Sequence, residues 1–162
     1  MHHTISVLVV NQSGVLSRIS GLFSGRGFNI ESLNVAETND SGISRMTIVT
    51  RGDDKKIEQV TKQLNKLVDV IKVIDLTEEN FVDRELILVK MNAEARVREE
   101  ILRIVDIFRA KVIDVNPDTY TVEITGDEGK TKGFLDLLKP LGIKEVVRSG
   151  RIAISRGIKP IN

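Results

Sequence analysis

TISVLVV, residues 4–10, runs without a break into NQSGVLS, residues 11–17, and this junction decides the fold. The first seven residues are mostly β-branched or otherwise apolar, the composition of a strand buried on both faces. From Val15 the period changes: Val15, Leu16, Ile19, Leu22 and Phe23 form one helical stripe. A strand therefore feeds a helix through a turn of Asn11, Gln12, Ser13 and Gly14. That turn holds more hydrogen-bonding groups than a plain connection needs.

Downstream, GRGFNI (residues 25–30) stops the helix, because Gly25 or Gly27 can take the left-handed conformation that ends helices. Residues 29–37 and 43–50 read as strands joined by TNDSG, which has hairpin chemistry. Asp53 or Asp54 caps a second helix with Ile57, Val60, Leu64 and Leu67 inward. DVIKVIDL, residues 69–76, closes the unit as a strand, so the order is βαββαβ.

The polar stretch TEENFVD, residues 77–83, reads as a linker, and then the order recurs. ELILVKM (85–91) is a strand, and residues 94–108 are a helix burying Val97, Ile101, Ile104, Val105 and Phe108. Strands at 111–115 and 119–125 flank a turn of Asn116, Pro117 and Asp118. A helix at 130–138 and a strand at 143–147 follow, with residues 151–155 as a short extension of the second half. One order used twice, at a period of roughly 80 residues, predicts an α+β protein of two ferredoxin-like βαββαβ sandwiches in tandem. The expected domains are residues 1–76 and 84–162, joined by 77–83. Units this small bury a modest fraction of their surface, which favours pairing with a partner.

Several functional classes are disfavoured. The chain has 24 basic and 23 acidic residues, and this balance offers no overall field for nucleic acid or an anionic membrane. It has no cysteine, which removes disulfides, thiolate nucleophiles and cysteine–zinc sites. Its two histidines, His2 and His3, stand at the N-terminus, where a solvated tail or a first-strand position is favoured over a metal-binding pair. No apolar run approaches a membrane span and no signal-peptide pattern opens the chain, so the expected location is the cytoplasm. Glu31 and Glu37 share a strand but have nothing nearby to complete an acid–base pair, and Gly25-Arg26-Gly27 lacks the ending of a phosphate loop. RNA-recognition domains share the βαββαβ order, but they need aromatic residues on their central strands, and here only Tyr120 lies inside a strand. Arg148, Arg151 and Arg156, with Gly150 and Gly157, make a basic cluster that reads first as a solvated tail.

The remaining class is a ligand-sensing module. Backbone N–H groups at a helix start have no intrahelical partners and carry partial positive charge, and Gly14 leaves them open to an anion such as a carboxylate. Asn11 adds an amide that both donates and accepts. The structural alternative is that Ser13 is the helix cap and Asn11 only stabilises the turn, and residue chemistry leaves the two readings level. Asn29 and Ile30 tilt the balance. Asn29 is a polar residue in apolar surroundings, and in a sheet-edge dimer one subunit's Asn29 and Ile30 would face the other's residues 11–16.

ISVLVVNQSGVLSRISGLFSGRGFNIESLNVA and SRMTIVT closely resemble the ACT domain of the small regulatory subunits of acetolactate synthase (acetohydroxyacid synthase). The resemblance continues through KQLNKLVDVIKVIDL, RELILVK, DIFRAKVIDVNPDTYTVEITG and EVVRSGRIAISRG, nearly the whole chain. It implies a subunit without its own active site that activates a catalytic large subunit and confers feedback inhibition by a branched-chain amino acid, usually valine. It implies that thiamine diphosphate, FAD and magnesium belong to the large subunit and that this chain binds no cofactor. The effector site it implies lies at a homodimer interface of ACT domains. There Gly14, Val15 and Leu16 meet the carboxylate, Asn11 and Asn29 supply the paired amides, and Ile30 comes from the partner chain. A free-standing ACT-type amino-acid sensor acting on another enzyme or on transcription is the alternative.

Overall fold

The computed structural model describes residues 2–157. The chain divides into two compact units, residues 2–82 together with 151–157, and residues 83–150. The first unit runs β1 (His2–Val10), α1 (Val15–Gly25), β2 (Ile30–Glu37), β3 (Ile43–Arg51), α2 (Asp54–Asn65) and β4 (Val70–Asp75). Its antiparallel sheet has the order β2-β3-β1-β4, so β2 and β4 are the edges. Seven consecutive residues of β1 are buried, as expected for a central strand. Ile5, Val7 and Val9 meet Val15, Ile19 and Phe23 of α1 and Ile57, Val60 and Leu64 of α2 in one core.

Local chemistry sets the boundaries. Gly27, rather than Gly25, takes the left-handed conformation (φ 75°) after α1. Gly27 N–H donates to Ser24 C=O at 3.1 Å and Phe28 N–H to Phe23 C=O at 2.9 Å, satisfying the last carbonyls of the helix. Phe28 then packs edge-on to Phe23, ring centroids 6.4 Å apart. Asp53, rather than Asp54, caps α2 by accepting from Lys56 N–H at 2.9 Å. The TNDSG hairpin closes through Thr38 N–H to Ile43 C=O at 2.9 Å and Gly42 N–H to the Asp40 carboxylate at 2.9 Å.

The second unit contains most of β5 (Phe81–Asn92), then α3 (Arg98–Ile107), β6 (Lys111–Val115), β7 (Thr119–Gly126), α4 (Glu128–Gly142) and β8 (Ile143–Arg148). Its path, β6-β7-β5-β8, repeats the first order, and Ile87, Val89 and Met91 meet Ile101, Ile104, Phe134 and Leu138 in its core. Tyr120 packs against this core, and Phe23, Phe28 and Phe134 are buried.

Two boundaries differ from those expected. β5 begins at Phe81, so the last residues of the expected linker 77–83 are strand. α3 begins at Arg98, four residues late: the residues before it form a turn, closed by Val97 N–H to Glu94 C=O at 3.0 Å. His2 and His3 take the first-strand position expected as one of two alternatives, and His3 is buried between Asp75 (Nδ1 to Oδ2, 3.0 Å) and Asp54 (Nε2 to Oδ1, 3.1 Å). The expected extension is β9 (Ile152–Ser155): it pairs with β5, as an extension of that sheet should, while its contacts group it with the first unit. Arg156 N–H donates to Asn80 C=O at 2.9 Å, just before β5 begins. The basic cluster is therefore divided: Arg148 pairs with Glu85 at 2.6 Å in the second unit, while Arg151 and Arg156 lie in the first.

Candidate functional site

The turn after β1 is built by backbone conformation more than by side-chain capping. Gly14 is the N-cap of α1 with φ 86° and ψ −14°, a left-handed geometry that glycine adopts without a Cβ penalty. No side chain caps the helix, so Ser13 does not take that role, and the first turn carries no acidic residue. The helical ladder opens with Arg18 N–H to Gly14 C=O at 3.1 Å, leaving Val15, Leu16 and Ser17 N–H without intrahelical acceptors. These donors and the positive end of the helix are the chemistry that can seat an anion.

Its flanks are apolar on one side and polar on the other. Val15 is buried, whereas Leu16, expected inside with the stripe, is 45% exposed beside the open donors. Asn11 is held by its neighbours: its N–H donates to Gly42 C=O at 2.9 Å, and its Nδ2 donates to Ser41 C=O at 2.9 Å and Glu37 Oε1 at 3.2 Å. The Asn11 amide thus ties the turn to the β2–β3 hairpin and to the end of edge strand β2. Glu37 is engaged there, and Glu31 pairs with His2 and Arg51, so the two carboxylates of β2 do not form a pair.

Sequence reasoning passed over Arg18. A Cβ placed on Gly14 would lie 3.6 Å from Arg18 Nη1, which puts the guanidinium at the edge of the seat. Its other nitrogen, Nη2, pairs with Asp69 just before β4. The spacing of four residues from Gly14, one helical turn, was the available signal.

Asn29 and Ile30 lie elsewhere in the same chain. Asn29 is exposed just ahead of β2, not buried in apolar surroundings, and its carbonyl accepts from Thr50 Oγ1 at 2.8 Å. Ile30 packs on the rim of the core. Ile30 is in register with Thr50 and through it with His3, while Glu37 is in register with Ser44 and through it with Val9. Asn11 and Asn29 therefore sit at opposite ends of the sheet, about 25 Å apart at the rise of an extended strand. A single chain does not bring the six expected residues together.

Among the described residues no cluster of three or more His, Asp or Glu side chains is placed to hold a metal. No described helix is long and apolar enough to cross a membrane.

Residues 5–72 match the family described as the AHAS small subunit-like ACT domain, and residues 84–157 match the small subunit of acetolactate synthase. The chain is 56% identical over 155 residues to the acetolactate synthase small subunit of Aquifex aeolicus, covering 95% of this chain and 81% of that protein. It is 53% identical over 159 residues to a probable acetolactate synthase small subunit of Archaeoglobus fulgidus, covering 98% and 99%. The crystal structure of the small subunit from Thermotoga maritima superposes with a TM-score of 0.88 at 41% identity, covering 98% and 99% of the two chains.

Proposed function

The chain belongs to the acetolactate synthase small-subunit family, and on that premise we propose that it regulates the enzyme's catalytic large subunit. In this reading it raises the large subunit's activity and confers feedback inhibition by a branched-chain amino acid, valine foremost. Thiamine diphosphate, FAD and magnesium belong to the large subunit, and this chain contributes no catalytic group. The C-terminal half, with the surface of residues 148–157, contributes to activation.

The observation that supports an effector site between copies is the placement of its two halves at opposite ends of edge strand β2. Strand edges present unpaired N–H and C=O groups, and two copies of β2 pairing antiparallel about their middle would set Ile30 of one against Glu37 of the other. Glu37 is where Asn11 is anchored. Such a dimer carries Asn29 and Ile30 of one copy to Asn11, Gly14, Val15 and Leu16 of the other, twice. The effector carboxylate meets the helix-start N–H groups, the amides of Asn11 and Asn29 orient its polar end, and Leu16 and Ile30 flank its apolar side chain. Inhibition then follows from a difference in effector affinity between active and inhibited assemblies, since equal affinity shifts nothing.

A pull-down from native extract tests the assignment. Capture of a thiamine-diphosphate-binding large subunit, whose activity rises with this chain and falls with valine, is the expected result. A chain that binds valine but captures no such subunit is a free-standing amino-acid sensor instead.

A further inference from the structure

The first sheet has two covered faces. Ile5, Val7 and Val9 of β1 face the helices, so by strand alternation Thr4, Ser6 and Leu8 face the other way, yet they are 4%, 0% and 8% exposed. Thr47 and Val49 of β3 share that second face and are equally buried. The C-terminal segment lies over it: β9, paired along its edge with β5, also rests against β1, with Ala153 buried and Ile152 and Ile154 turned outward. Its leading residue is clasped by β2. Arg151 N–H donates to Ser32 Oγ at 3.0 Å, and Asn34 Nδ2 donates to Arg151 C=O at 3.3 Å.

We propose that residues 151–155 are a strap whose hold on β2 reads effector occupancy out of the ACT domain. This deepens the preceding reading and rests on its effector site. The wall of that site, Asn29 and Ile30, and the anchors Ser32 and Asn34 belong to one edge segment, and the pairing of β2 with β3 shifts register between Ile30 and Ser32. An irregularity there lets the start of the strand adjust without unzipping the sheet. A ligand that repositions Asn29 and Ile30 moves the two side chains that clasp Arg151. The strap keeps its strand pairing with β5, but the face it covers is not fully satisfied. Ser6 Oγ, on the covered face, is buried without a hydrogen-bond partner, a cost that is relieved when water reaches it. Covered and uncovered states are therefore closer in free energy than the buried area suggests, which is what a reporting element requires.

The test is amide hydrogen exchange at residues 152–155 in the full-length chain, with and without saturating valine, alongside calorimetry and inhibition of the reconstituted holoenzyme. Valine should change exchange at these amides at least about five-fold, the low end of ordinary coupling. The double variant Ser32→Ala/Asn34→Ala should exchange fast in both conditions and still bind valine. It should lose most of its valine inhibition, and Ser32→Thr should keep both protection and inhibition. Valine binding to the wild-type chain with no change at 152–155 overturns the strap, as does a double variant with lost protection but unaltered inhibition. A lower melting temperature with valine-insensitive exchange shows a purely structural cover and also overturns it. Failure of the wild-type chain to bind any branched-chain amino acid overturns the effector site itself, and the strap's role with it.

Discussion

Gly14 can be replaced in two ways that separate its backbone role from its electrostatic one. At φ 86° an L-residue costs about 1–2 kcal/mol in the left-handed region, somewhat less for aspartate than for alanine. A Cβ meets nothing closer than Arg18 Nη1 at 3.6 Å, so no clash adds to that strain. Gly14→Ala should therefore lower stability by about 1–2 kcal/mol yet leave effector affinity within a few-fold, because the helix-start N–H groups stay reachable. Gly14→Asp carries similar strain but places a carboxylate where the effector's carboxylate would sit. Two such charges about 4 Å apart repel by about 4 kcal/mol at an effective dielectric of about 20. The open N–H groups and the Arg18 guanidinium offset part of this. About 2–3 kcal/mol remains, a loss of roughly 30- to 150-fold in valine affinity. Titration calorimetry with valine, paired with thermal melts of both variants, reads the two effects apart. A folded Gly14→Asp chain that binds valine as the wild type does refutes the anion seat. Equal loss in both variants would show that backbone geometry, not charge, governs the site.

Three further expectations follow from named contacts. Asn29 is exposed and lends its main-chain carbonyl to Thr50, so Asn29→Ala should leave stability within about 0.5 kcal/mol while weakening effector binding by about 1–3 kcal/mol. An unchanged calorimetric isotherm removes Asn29 from the site. Val35 is 44% exposed on edge strand β2, and Val35→Lys should abolish the proposed β2-edge dimer and leave a monomer in sedimentation velocity. A persisting dimer sinks the β2-edge pairing. A Cβ on Gly52 would fall 2.0 Å from Phe28 Cε1, so Gly52→Ala must displace a buried ring, at a cost of about 1–3 kcal/mol in urea unfolding. An undiminished midpoint means the ring has another place to go.

Elements whose signals are local were legible in the residues. The change from a continuous apolar run to a helical stripe at Val15 located β1 and α1. The capping aspartate, the hairpin TNDSG and the repeated βαββαβ order placed most of the rest. Where a boundary moved, the apolar stripe ran past the helix itself: Val97 is buried but belongs to the turn before α3. The candidate site was legible as chemistry and illegible as geometry. Gly14 and Asn11 announced themselves by type and position. The exposure of Asn29, and the role of Arg18 beside the seat, depend on neighbours remote in the chain, such as Asp69.

The amino-acid sequence by itself determined the element order, the doubled sandwich, the open helix start and the family, because periodicity, capping and motif spacing act over a few residues. Only the tertiary structure decided that Asn11 and Asn29 stand at opposite ends of the sheet, since strand order and register are set by packing between segments far apart in the chain. It also decided that residues 151–155 return to the first unit, where Ser32 and Asn34 clasp Arg151 across more than a hundred intervening residues. No local pattern encodes such a contact. It exists because the second face of the sheet has buried side chains to cover and β2 offers the hydrogen bonds that hold the strap in place.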